Sequence, residues 1–253
     1  MIESSLMVSQ WQDEIRELGF AIVSDVFSES EVDELNCGLD RVLHRAEEAE
    51  GPIRDKAGTV YAGRNLLRLF EPAKNIWRRS PLLELLREVL GPEFGLVRVL
   101  FFDKPPERTW ALPWHKDLTI AVKPHVGQST IFSKPTLKAG VPHVEASSEV
   151  LAAMLTLRIH LDDMTDENGP LLVVPGSHRL GKASVASYEN ATPILGSRGD
   201  VLAMRPMLAH RSISSREGTT QHRRILHFEF TGLPHLPDGF EWHDFIRSHH
   251  APA

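Results

Sequence analysis

From residue 96 onward the chain is cut into short apolar or alternating segments, each closed by turn-forming residues. No other feature constrains the fold as strongly, because many short strands joined by turns bury their apolar faces only in a sandwich or a barrel. Residues 96–102 (LVRVLFF) read as a strand from their β-branched and aromatic content, and Lys104-Pro105-Pro106 ends it. Residues 115–122 are the next strand candidate. In 154–161, Leu155, Leu157, Ile159 and Leu161 alternate with Thr156, Arg158 and His160. Successive side chains of a strand point to opposite faces, so these three polar groups share one face: the wall of a polar cavity or a sheet surface in water. Segments 171–174, 201–204 and 223–230 complete the set, with turns at 166–170 and Gly199-Asp200.

The first third reads differently. Ser9, with Gln12 three residues on, predicts a helix start, with Trp11, Ile15 and Leu18 as its apolar stripe and Gly19 as its stop. A short strand follows at 20–23. Ser28 and Glu31 form a second capping box, leading into Val32, Leu35, Leu39, Val42 and Leu43 at helical spacing, in a helix expected to run to near Glu48. Residues 50–65 read as a loop. Ser80-Pro81 and Gly91-Pro92 bracket a Leu-rich helix. The expectation is one domain over 1–253, mainly β with flanking helices: helical to about 95, with a jelly-roll core over about 96–232. Residues 123–148 show no clear periodicity, and an irregular segment of that length is expected to be a lid or substrate loop.

Composition narrows the function class. With 42% hydrophobic and 25% charged residues, the chain is that of a soluble globular protein. A net charge of −6 without any Lys/Arg block disfavours a nucleic-acid partner. No apolar run reaches membrane-span length, and the N-terminus lacks the basic and apolar regions of a signal peptide, so a cytoplasmic location without a membrane partner is expected. The single cysteine, Cys37, forms no internal disulfide and reads as a buried structural thiol.

The chemistry centres on Trp114-His115-Lys116-Asp117. In an extended strand, His115 and Asp117 point to the same face. A second imidazole from a distant strand, His210, would make two histidines and one carboxylate on one side of a metal, with the other side open. The same donors also suit catalytic zinc. Trp114 either packs against such a site or fills the core. Arg158 is placed to bind an anionic substrate or cosubstrate or to form a salt-bridged wall, and Thr156 shares its face. Arg223 and Arg224 are side by side, and alternation sends them to opposite faces.

Taken together, Gly19-Phe20-Ala21-Ile22-Val23, Lys104-Pro105-Pro106, the Trp114–Asp117 box, Asn168-Gly169-Pro170-Leu171, Pro175-Gly176-Ser177-His178, and His210-Arg211-Ser212 followed by Arg223-Arg224 resemble the phytanoyl-CoA dioxygenase family. These Fe(II)- and 2-oxoglutarate-dependent oxygenases match in blocks spread over most of the chain. The resemblance implies a double-stranded β-helix (jelly-roll, cupin-like) core with iron held by His115, Asp117 and His210. It also implies that Arg223, helped by Ser212, receives the distal carboxylate of 2-oxoglutarate, and that Leu100 lines that pocket. The interval from His210 to Arg223 is slightly longer than the family pattern. An aspartate at 117, where related halogenases carry a small residue, implies hydroxylation rather than halogenation. The implied reaction consumes O2 and 2-oxoglutarate, hydroxylates a small molecule, and releases succinate and CO2. A zinc-dependent hydrolase and a non-catalytic metal-binding barrel are the alternatives; neither requires 2-oxoglutarate. No motif specifies the substrate, a CoA thioester included, or the oligomeric state.

Overall fold

The computed structural model describes residues 2–106, 108–127 and 129–248, with the side chains of 2–6 left aside. The last residues of the Pro-rich C-terminal tail, 249–253, lie outside that range. In chain order, the first third forms α1 (Ile2–Glu17), β1 (Phe20–Val23), α2 (Glu29–Arg45), β2 (Pro52–Arg54), β3 (Val60–Gly63), α3 (Leu66–Leu69) and α4 (Leu82–Leu90). The remainder begins with β4 (Gly95–Phe102), β5 (Leu112–His115), β6 (Thr119–Ala121), β7 (Ser133–Lys138), β8 (Val141–Glu145), α5 (Ser148–Ala152) and β9 (Met154–His160). It closes with β10 (Leu171–Val173), β11 (Thr192–Ile194), β12 (Val201–Met204), β13 (His210–Ser212), β14 (Ile225–Thr231) and β15 (Ile246–Arg247).

The strands build the expected jelly roll. The larger sheet runs β1-β12-β9-β14-β4-β3-β2, with β15 added to β4, and the smaller facing sheet runs β11-β10-β13-β5. Every pairing is antiparallel. One face of the larger sheet carries Val99, Phe101, Leu157, Ile159, Leu226 and Phe228, and packs against the helices in a single core. The opposite face carries Arg98, Leu100, Phe102, Arg158, His227 and Glu229, and looks into the barrel. All seven residues of β9 are buried, so its polar face is turned inward and is not a sheet surface in water, with Arg158 reaching the cavity.

Local chemistry explains the element boundaries. The Ser28 capping box forms as the spacing predicts: the Glu31 amide donates to Ser28 Oγ at 3.4 Å and the Ser28 amide donates to Glu31 Oε2 at 2.9 Å. α2 stops at Arg45 rather than near Glu48, and Arg54 donates to its terminal carbonyls at Leu43 (2.7 Å) and Ala46 (3.0 Å). Arg54 belongs to a β2–β3 hairpin occupying most of what reads as a loop at 50–65. Ser9 falls inside α1, not at its start, and Leu18 lies past its end and is exposed. The cap of α4 is Pro81; Ser80 Oγ instead donates to Glu84 Oε1 at 2.6 Å. Gly91 ends α4 at φ 86°, as expected of a glycine stop. Cys37 is exposed, because it sits off the stripe of Val32, Leu35, Leu39 and Leu43.

Two larger corrections concern the segments around the site. Residues 115–122 are not one strand: β5 ends at His115, β6 starts at Thr119 in another sheet, and Asp117 lies in the break between them. Residues 123–148 are irregular only in their first part, up to 132: from Ser133, β7 and β8 form a hairpin, and with β6 a three-stranded sheet whose Thr119 and Lys138 reach the cavity.

Candidate metal centre

His210 and His115 face each other directly across the β13–β5 ladder. Their ring centroids lie 4.2 Å apart. Each ring is held by its own backbone: Nδ1–H of His115 donates to the carbonyl of Pro113 (2.8 Å), and Nδ1–H of His210 to that of Leu208 (2.9 Å). With the proton on Nδ1, each Nε2 is left with its lone pair pointing inward. Asp117 meets both, with carboxylate oxygens 3.8 Å from His115 Nε2 and 3.6 Å from His210 Nε2. The three ligand atoms lie within 4.8 Å of one another, the spacing of a set that can hold one ion. The break after β5 does not spoil the parity of the box. The Asp117 amide donates to Pro206 (2.9 Å), while Lys116 turns the other way and donates to the carbonyls of Ser177 (3.0 Å) and Gly181 (2.6 Å).

The electrostatics suit a cation. Burial pushes the His210 imidazolium down to about 4, so this ring is neutral at physiological pH. Burial alone would raise the Asp117 carboxyl, but interaction with His210, His227 and His115, with the Arg158 guanidinium adding a permanent charge, brings it below its ordinary value. Two imidazoles and one carboxylate, converging from one side and facing a cavity on the other, fit a first-row divalent ion with open positions.

That cavity has a volume of about 180 Å³. At its inner end the guanidinium of Arg223 is 1% exposed and forms no ion pair with any described residue. Its Nη2 donates to Ser212 Oγ at 3.4 Å, and its Nε has no partner. Lys104, fully buried, donates to the same Ser212 Oγ at 2.8 Å and to the carbonyls of Gly169 (3.1 Å) and Ile213. While Lys104 is an ammonium, with a proton for each of its three acceptors, two donors occupy both lone pairs of the serine oxygen and its own proton is free to serve an acceptor in the cavity. Burial first, then the charges of Arg223 and Arg158, push the Lys104 ammonium down to about 6. Burial and the nearby Arg158 lower Arg223 to about 9. The indole of Trp110 lies over both cations, 5.0 Å from Lys104 Nζ and 5.5 Å from the Arg223 guanidinium carbon. A buried guanidinium with an orphaned N–H, beside a lysine that a bound anion would recharge and a serine hydroxyl, is a receptor for a carboxylate.

Leu100 and Arg158 also line the cavity. Arg158 is buried and forms no hydrogen bond or ion pair with any described residue; burial lowers it to about 10, offset by Asp117. Thr156 is buried on the same face but does not reach the cavity lining. Nor does Trp114, which stacks on Tyr188 at 4.4 Å and has the Arg211 guanidinium carbon 5.1 Å from its ring centroid. His178 is held by the Arg16 carbonyl (3.2 Å) away from the centre. Reading the sequence alone missed Lys104 as a site residue, along with Trp110, Arg98, His227 and Glu229. Alternation in 96–102 and 225–231 puts Arg98 with Leu100 and His227 with Glu229, so a signal for those three was present.

The family model described as phytanoyl-CoA dioxygenase matches residues 15–225. Among curated proteins, the ectoine dioxygenase of Bordetella parapertussis is 26% identical over 168 residues, covering 64% of this chain and 46% of the relative. The chain therefore spans about half the length of the curated relatives it matches. Among solved structures, AviO1 from Streptomyces viridochromogenes Tue57 is similar with a TM-score of 0.63 and 25% identity, over 88% of this chain and 94% of that one. EctD from S. alaskensis with bound Fe is similar in fold, with a TM-score of 0.68 and 18% identity over 88% of this chain and 76% of that one.

Proposed function

Because the chain belongs to the phytanoyl-CoA dioxygenase family, we propose that it is an Fe(II)- and 2-oxoglutarate-dependent dioxygenase that hydroxylates a small molecule and releases succinate and CO2. One observation carries the reading. The facial set of His115, Asp117 and His210 shares a cavity with a buried, carboxylate-free Arg223 whose Nε has no partner. A hydrolytic metal centre has no need of the second feature, whereas a dicarboxylate cosubstrate that must reach both the metal and a distant cation needs both.

When bound, ferrous iron and 2-oxoglutarate supply the activation of O2 that places a hydroxyl group on an unactivated C–H bond. The chain supplies the geometry. Two backbone-fixed imidazoles and Asp117 hold the ion from one side. Arg223 and the free hydroxyl of Ser212 receive the distal carboxylate, with Lys104 holding Ser212 in place. Arg158 stands between that end and Asp117, where it can counter a second carboxylate charge. Leu100, Phe102 and Trp110 give the pocket apolar walls that keep bulk water from the reacting atoms.

The test is anaerobic titration with Fe(II) and then 2-oxoglutarate, following the weak visible charge-transfer absorption of the chelate. Absorption that is lost in His210→Ala and weakened in Arg223→Ala supports the reading. One equivalent of bound iron without any absorption on adding 2-oxoglutarate overturns it.

A further inference from the structure

The cavity carries more positive charge than the metal centre and cosubstrate account for. Arg98, Lys138, Arg158 and Arg223 line it, against the carboxylates of Asp117 and Glu229. A divalent metal adds two positive charges and 2-oxoglutarate two negative ones, so loading both leaves the excess of two positive charges unchanged. One of those two charges falls among Arg158, Arg223, Asp117 and the loaded metal and cosubstrate; the other falls among Arg98, Lys138 and Glu229, on the Lys138 side of the cavity.

There the partners are few. Lys138, half-buried at the end of β7, is held only by Thr119 Oγ1 at 3.3 Å and pairs with no described carboxylate. Arg98 meets Glu229 through one nitrogen at 3.2 Å, and that carboxylate is shared with His227 at 3.5 Å. Arg64 lines a smaller pocket beside Arg98, and its side chain forms no hydrogen bond or ion pair with any described residue. Burial, then Arg98 and Arg64, lowers the Lys138 ammonium; burial and Arg98 lower the Arg64 guanidinium. Like charges held together in a partly dry site repel one another, and an arriving anion relieves the repulsion.

We propose that the substrate carries an anionic group, a carboxylate or a phosphate, which binds on the Lys138 side of the cavity between Lys138 and Arg98, with Arg64 beside Arg98 in the adjoining pocket. The proposal rests on the oxygenase reading, since it assigns the metal to His115, Asp117 and His210 and the distal carboxylate of 2-oxoglutarate to Arg223. Thr119 contributes too: its oxygen accepts from Lys138, so its O–H is free to donate to the same anion. Specificity follows from geometry. The fixed anion sets which carbon of the substrate lies beside the metal, and a neutral analogue leaves Lys138 and Arg64 without an anionic partner and Arg98 with only its shared Glu229.

The experiment uses Mn(II)-loaded protein saturated with 2-oxoglutarate under argon. Inorganic phosphate and acetate are titrated separately, and paramagnetic relaxation of their 31P and 13C resonances is followed. The expected result is saturable enhancement with at least one probe. Its affinity should fall about tenfold in Lys138→Met, recover in Lys138→Arg, and rise in Glu229→Gln, which removes a negative charge from the same place. The opposite signs of Lys138→Met and Glu229→Gln keep the test decisive should either variant fold poorly. No saturable enhancement, or equal affinity in wild type and Lys138→Met, overturns the proposal. If Mn(II) itself fails to bind, as its free EPR signal would show, the oxygenase reading fails separately. The anion site is then decided by chemical-shift titration of the metal-free protein with the same probes and variants.

Discussion

Arg223 and Arg224 point to opposite sides of one backbone, and only Arg224 meets a carboxylate. Arg224 grips Asp162 with Nε at 2.9 Å and Nη2 at 2.7 Å, while Arg223 faces the cavity with its Nε unpaired. The two therefore have opposite expected phenotypes. Arg224→Leu strips a bidentate partner from a mostly buried carboxylate and should lower folding stability by about 1.5–3 kcal/mol. Its affinity for 2-oxoglutarate should stay near wild type. Arg223→Leu removes an uncompensated buried charge, so the unliganded protein should be no less stable, while 2-oxoglutarate binding should weaken by about 30-fold or more. Urea denaturation and anaerobic cosubstrate titration of both variants separate the two roles.

The metal centre should behave as a stability switch. Asp117 and the two Nε2 atoms converge only in the folded chain, so an ion bound there stabilises by mass action. At a free ion concentration about 100 times Kd the gain is about 2.7 kcal/mol, which for a chain of this size raises Tm by about 5–10 °C. His210→Ala should abolish the shift while leaving the metal-free Tm within a few degrees. Calorimetry with and without Mn(II) in the absence of oxygen makes the comparison.

How much of this was legible depends on whether the signal was local. His115 and Asp117 lie two residues apart, and alternation alone faces them the same way even though β5 ends between them. The polar face of β9 was equally plain, but whether it met water or a cavity depended on the facing sheet, which alternation does not encode. The β7–β8 hairpin was invisible for a related reason. Five of the six residues of β7 are exposed, so Ser133, Lys134 and Thr136 carry no apolar alternation to read. Lys104 and Ser212 meet across 108 residues of sequence, a tertiary contact with no local mark. Family resemblance named Ser212; nothing in the local pattern named its partner.

Lys104 makes cosubstrate binding depend on pH. Its ammonium is pushed down to about 6 in the folded protein, against an ordinary value of 10.5, by burial first and then by Arg223 and Arg158. Between those two values the unfolded chain holds a proton that the folded protein has released. The residue's contribution to stability therefore rises with pH across that window and is least favourable below about 6. A dicarboxylate beside it favours the charged form and pulls its pKa up. Binding of 2-oxoglutarate at about pH 7.5 should therefore take up a proton, and affinity should fall as pH rises above 6. Calorimetric titration in two buffers of different ionisation enthalpy measures the uptake. Lys104→Met should remove it, and an unchanged uptake in that variant would assign the proton to another group.

Gly169 sets where Lys104 and Ser212 meet. Its φ is +68°, and a Cβ there would lie 2.4 Å from the Ile213 carbonyl and 2.7 Å from Lys104 Nζ. Gly218 supplies the comparison: its φ is +79°, but a Cβ would meet nothing within 4 Å. Gly218→Ala should therefore cost only left-handed backbone strain, about 1–2 kcal/mol, with 2-oxoglutarate affinity intact. Gly169→Ala adds a clash with fixed backbone and with the ammonium that orients Ser212. It should cost more stability than Gly218→Ala and also weaken 2-oxoglutarate, since Lys104 can retreat only by releasing the serine. Denaturation paired with cosubstrate titration on both variants tests this. Equal losses of stability with unchanged cosubstrate affinity would show that Lys104 does not hold Ser212 for the ligand.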